Sequence, residues 1–94
     1  MAERYRPCRT GLHVCGADED ANEFFTLANY PARDQAEANA AFDRARKECE
    51  AGAGEPADFV VDLMCAGDIS DDFHVTRQML PRLAKAVHGV STDA

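Results

Sequence analysis

Apolar and polar side chains alternate over residues 5–15. Cys8, Thr10, Leu12 and Val14 fall on one face, and Arg9, Gly11, His13 and Cys15 on the other. A period of two predicts a strand half-buried in a sheet. Pro7 confines that strand to an edge or places it near a strand start, because proline donates nothing to a ladder. Residues 16–22 (GADEDAN) read as a polar turn. Residues 23–30 (EFFTLANY), with Phe24 and Phe25 followed by Thr26, read as a second strand completing a hairpin.

The period changes after Pro31. Ala38, Ala41, Phe42, Ala45 and Cys49 recur at steps of three and four, predicting a helix to about Glu50 with an alanine-rich buried stripe. Asp34 followed by Glu37 has capping-box spacing, with Asn29 ahead of Pro31 as a rival cap. Gly52 and Gly54 stop this helix. Residues 59–65 (FVVDLMC) give the strongest strand, predicted to be central. Phe59, Val61, Leu63 and Cys65 share one face; Val60, Asp62 and Met64 share the other, with Asp62 marking the more exposed side. Residues 66–72 read as a turn in which Ser70 or Asp71 caps a last helix. That helix would bury Phe73, Thr76, Leu80, Leu83, Ala84 and Val87. Pro81 leaves two alternatives. Either the helix kinks there, or residues 72–75 are extended and the helix begins near Thr76.

The predicted order is therefore β-β-α-β-α: an α+β two-layer sandwich in which two helices cover one face of a three-stranded mixed sheet. No internal repeat is evident. At 94 residues the chain is expected to be a single domain, 1–94, with flexible tails at 1–4 and 90–94. Its core relies on five Phe and no Trp, thin enough to make a homodimer a natural expectation.

Charge narrows the partners. Seventeen acidic against ten basic residues give a net charge of -7, which repels nucleic-acid backbones and anionic membranes. No apolar run approaches the ~20 residues of a membrane helix, and residues 1–9 lack a signal-like apolar core. The expectation is a cytoplasmic protein whose four cysteines (Cys8, Cys15, Cys49, Cys65) are reduced.

Candidate chemistry is sparse. Cys8, His13 and Cys15 offer zinc-type ligands spaced C-x4-H-x-C, but strand alternation puts Cys8 opposite the other two. Cys49, Cys65 or His74 would have to complete such a set. The sequence favours Cys8 packed inward, His13 half-exposed, and neither metal nor cofactor. A thiol site would pair Cys65 with His74; Cys15 beside an acidic turn and Cys49 at a helix C-terminus are poor thiolates. Asp18, Glu19, Asp20 and Asn22 open like a calcium loop, yet Glu23 replaces its glycine and Asn29 its glutamate. Asp68, Asp71, Asp72 and His74 match helix capping, and Asp62 with Asp68 would make a small carboxylate enzyme. Phosphate-binding glycine loops and nucleophile elbows are absent.

What remains is the sheet face without helices, carrying Phe25, Leu27, Val60, Asp62 and Met64. The functional expectation is a small, acidic, noncatalytic protein-interaction or self-associating domain. The alternative is a metal- or thiol-dependent protein drawing on Cys8, His13, Cys15, Cys65 and His74.

Overall fold

Among the described residues, two hairpins are each followed by a helix. The computed structural model describes residues 5–18, 23–49 and 59–91. Strands β1 (Gly11–Asp18) and β2 (Glu23–Pro31) precede helix α1 (Gln35–Cys49). Strands β3 (Phe59–Cys65) and β4 (Asp68–Val75) precede a 3-10 turn at Arg77–Met79 and helix α2 (Leu80–Ser91). The fold is α+β, with a four-stranded sheet ordered β2-β1-β3-β4 and antiparallel throughout.

This corrects the expected three-stranded mixed sheet of order β-β-α-β-α. The missing strand is β4, and the reason is local. Ala66 and Gly67 both have positive φ (51° and 94°) and join β3 to β4 as a two-residue hairpin turn. Such turns are normally signalled by Asn-Gly or Asp-Gly, and alanine at the first position hides the signal. The strand itself is acidic because it is an exposed edge, so Asp71 and Asp72 imitate a helix start. Of the two alternatives at Pro81 the second holds: residues 72–75 are extended, and a 3-10 turn with Thr76 as its N-cap leads into the helix at Leu80. Pro81 stands in the first turn, where its missing N–H costs nothing.

Helix α1 follows its stripe: Ala38, Ala41, Phe42, Ala45 and Cys49 are all buried. Its N-terminus is capped by Asp34, whose Oδ1 accepts the Glu37 N–H at 2.9 Å. Glu37 reaches back to accept the Arg33 N–H at 2.7 Å. The two helices pack on one face of the sheet over Leu12, Val14, Phe59, Val61 and Leu63, with Leu83, Ala86 and Val87 from α2. Phe42 and Phe73 meet there edge to face at 5.2 Å. Phe25, expected on the uncovered face, packs into this helix-side core. Its partner across the ladder is Gly16, and a Cβ on Gly16 would lie 2.8 Å from the Phe25 ring.

The order hairpin-then-helix occurs twice, a repeat of topology invisible in the residues. Each hairpin carries one register slip. On β1 the slip follows Val14, with Leu27 the extra residue on β2; on β3 it follows Leu63, with Ser70 extra on β4. His13 and Asp62, one residue before each slip, are partners across the central β1–β3 pair.

Residues 5–10 form no strand, so β1 begins at Gly11 rather than near residue 5. They make a strap over the sheet face away from the helices. The Arg6 N–H donates to Thr26 Oγ1 at 2.7 Å, and the Cys8 N–H to Asn29 Oδ1 at 2.9 Å. Asn29 Nδ2 donates to the Arg6 carbonyl at 2.9 Å. Arg9 and Thr10 carbonyls accept from Gly67 and Ala32, at 2.9 and 3.0 Å. The glycine stop at 52–54, residues 19–22 of the calcium-like stretch, and the proposed tails at 1–4 and 92–94 lie outside the described residues; residues 90–91 belong to α2.

A sealed candidate site on the strap-covered face

Strand alternation sends His13 and Cys15 to the face away from the helices, and the antiparallel β1–β3 register sets Asp62 opposite His13. Thr26 joins them as the partner of Cys15 on β2. All three of His13, Cys15 and Asp62 are buried, His13 completely. The expected half-exposed imidazole and solvated carboxylate are thus overturned, because the strap covers what three bare strands would have left open. Tyr5, at the start of the strap, presses its ring edge-on to the imidazole at a centroid distance of 5.2 Å.

The contacts are all satisfied when His13 carries its proton on Nδ1. Arg6 N–H donates to Thr26 Oγ1, which leaves the hydroxyl proton for His13 Nε2 at 2.8 Å. His13 Nδ1–H then donates to Asp62 Oδ2 at 3.0 Å, and the Cys15 thiol approaches the same oxygen at 3.8 Å. A buried carboxylate needs such donors, since an unpaired charge in this setting would be costly. Burial, the Asp62 charge, its hydrogen bond to the thiol and the more distant Asp72 push the Cys15 thiol up to about 11. Tyr5 is raised as well, first by burial and then by Cys15 and Asp62. A catalytic thiol needs the opposite shift.

The structure separates other groups that the sequence suggested together. Cys8 is half-buried on the strap, its Sγ 3.5 Å from the Leu12 carbonyl. Cys65 lies at the β3–β4 turn, whereas His74 pairs with Val60 at the other end of β3. Five residues of strand, roughly 16 Å at 3.3 Å each, hold them apart. Asp68 pairs with Cys65 and is exposed, about 10 Å along the strand from the position opposite Asp62. Asp71 and Asp72 are exposed along β4, and Asp71 faces Arg46 at 3.8 Å. Cys49 is buried in the core and its thiol raised, chiefly by burial.

Of the expected interaction face, Met64 and Asp62 are buried, Val60 is half-buried, and Leu27 is 43% exposed at the β2 bulge. Phe24, which the sequence reading did not single out for this face, is 60% exposed. Thr26 and Tyr5 were also missed as members of the polar cluster. Hairpin register held the signal for Thr26; nothing in the pattern placed Tyr5. Between α1 and α2 runs a groove of about 590 Å³ lined by Arg44, Glu48, Arg82, Lys85 and Ala86. No helix among the described residues is long and apolar enough to cross a membrane. Comparisons with family models, curated proteins and solved structures give no match to this chain.

Proposed function

We propose that the protein acts by association rather than catalysis, joining a second copy of itself along the outer edge of β2. The observation that carries this reading is the contrast between the two sheet edges. Strand β4 bears Asp68, Asp71 and Asp72, the kind of charge that protects an edge from pairing. Strand β2 (EFFTLANYP) is one residue longer, has Glu23 as its sole charged residue, and exposes Phe24 and Leu27. A second β2 fits this edge better than β4 does, because two like edges meet around a two-fold axis and close. Pairing β2 to β4 would instead propagate into a filament. The sealed polar cluster supports the noncatalytic half of the reading: its imidazole is fully buried and its thiol is held protonated.

Sedimentation equilibrium across a concentration series tests the proposal. Wild type should show a monomer–dimer equilibrium, and the double variant Phe24→Lys, Leu27→Lys should remain monomeric while keeping the wild-type circular dichroism. A wild type that stays monomeric at the highest soluble concentration, or a double variant that still dimerises, would overturn it.

A further inference from the structure

The cluster on the strap-covered face holds the three side-chain types that bind thiophilic divalent ions, from residues distant in sequence. An imidazole nitrogen of His13, Cys15 Sγ and an Asp62 carboxylate oxygen lie within 4.8 Å of one another, and all three residues are buried. We propose that these three atoms form a binding site for a single zinc-class divalent ion.

The fit can be judged from bond lengths. Zinc binds nitrogen and oxygen at about 2.0–2.2 Å and sulfur at about 2.3 Å, so tetrahedral ligands stand about 3.3 Å (N to O) and 3.5 Å (S to O) apart. The observed separations are 3.0 Å from His13 Nδ1 to Asp62 Oδ2 and 3.8 Å from Cys15 Sγ to the same oxygen. Adjustments of about 0.3 Å bring both to the ideal, and the third separation, His13 nitrogen to Cys15 Sγ, lies within 4.8 Å and has to close to about 3.5 Å. Donor chemistry selects the ion. One oxygen among three protein ligands is too few for calcium or magnesium, which take oxygen sets, whereas thiolate with imidazole suits zinc.

The surroundings also supply an outer shell. On binding, the ion takes the place of the Nδ1 proton, which relocates to Nε2 so that the imidazole stays neutral. Thr26 Oγ1 then accepts from Nε2–H instead of donating to it. It has the capacity, since a hydroxyl oxygen carries two acceptor sites and the other takes the Arg6 N–H. A ligating histidine whose second nitrogen is held in this way is the usual arrangement at protein metal sites. The Cys15 thiol proton is released to solvent, and the thiolate and carboxylate together neutralise the 2+ charge. Metal binding of this kind is independent of association through β2.

Cobalt(II) titration of the full-length protein purified without chelator tests the site, followed by displacement with zinc. Wild type should take one cobalt per chain, with tetrahedral visible bands and a near-ultraviolet thiolate charge-transfer band that zinc abolishes. Cys15→Ser and Asp62→Asn should each weaken cobalt affinity by at least about 100-fold, more than outer-shell changes cost, and Thr26→Val by about 10- to 100-fold. Cys8→Ser and Cys65→Ser should bind as wild type. Circular dichroism of each variant separates loss of binding from loss of fold. Should Cys15→Ser disrupt folding, the charge-transfer band in Cys8→Ser and Cys65→Ser still assigns the sulfur. Absence of a thiolate band in folded wild type, or retention of it in Cys15→Ser, would overturn the proposal.

Discussion

At the scale of single residues, His13 does the most specific work. It supplies a donor to a carboxylate that has been taken out of water, so its loss should cost more than the volume of an imidazole. Removing the donor to a buried group costs about 1–3 kcal/mol, and more where that group is charged, because it is left unsatisfied. Urea denaturation of His13→Ala should therefore show a loss of that order; a change below about 1 kcal/mol would mean Asp62 finds other donors. Cys15 gives a second, pH-dependent prediction for the metal-free protein. Its folded value of about 11 stands above the ordinary 9.0. A raised value means the folded state holds the proton more tightly, so the stabilisation is complete below pH 9 and disappears as pH rises toward 11. Two units correspond to roughly 3 kcal/mol. Tyr5, Cys8 and Cys49 are shifted the same way and add to the loss. Cys15→Ala should flatten the stability profile between pH 9 and 11, measured by denaturant unfolding at each pH. Part of this chemistry was legible beforehand. Alternation alone placed His13 beside Cys15 and put Asp62 on the face of Val60 and Met64. The meeting of residues 13 and 62 was not legible, because only the pairing of β1 with β3 creates it.

At the scale of elements, legibility followed the strength of the local pattern. Helix α1 could be read nearly residue by residue, since its five apolar positions obey one period and its cap obeys another rule. Strand β3 was equally clear. Strand β4 was not, because an edge strand facing water needs few apolar residues, and its turn uses an alanine in a conformation that favours glycine. The strap was misread as strand for a related reason. Its alternation is real, but its hydrogen bonds go to Thr26 and Asn29 side chains and to Ala32 and Gly67, not to a ladder. Gly16 is an element-level position with little room for change. A methyl group there would come within 2.8 Å of the Phe25 ring and 3.0 Å of Phe59. Gly16→Ala should lose about 1–3 kcal/mol, as overpacked cores do, with the β2 end of the sheet losing amide protection first in hydrogen exchange.

At the scale of the molecule, charge and shape act against each other. Each copy carries a net charge of -7, so two copies repel even where their β2 edges match. Raising salt from about 0.01 M to 1 M shortens the screening length from about 30 Å to 3 Å. The dimer should tighten severalfold over that range by sedimentation, whereas an association held by ion pairs would weaken. The two hairpin–helix halves bear on the buried cluster in another way. They meet along β1 and β3, with His13 and Asp62 at matching positions on either side of the seam. Were the halves identical polypeptides, identical residues would meet there, as two imidazoles or two carboxylates, and no imidazole could face a carboxylate. A single chain lifts that restriction. Each side of the seam is free to differ, so a donor can face an acceptor, and sulfur and imidazole from one half can converge on an oxygen from the other. A symmetric pair of half-length chains has no means to build this polar cluster; covalent continuity between unlike halves is what makes it possible.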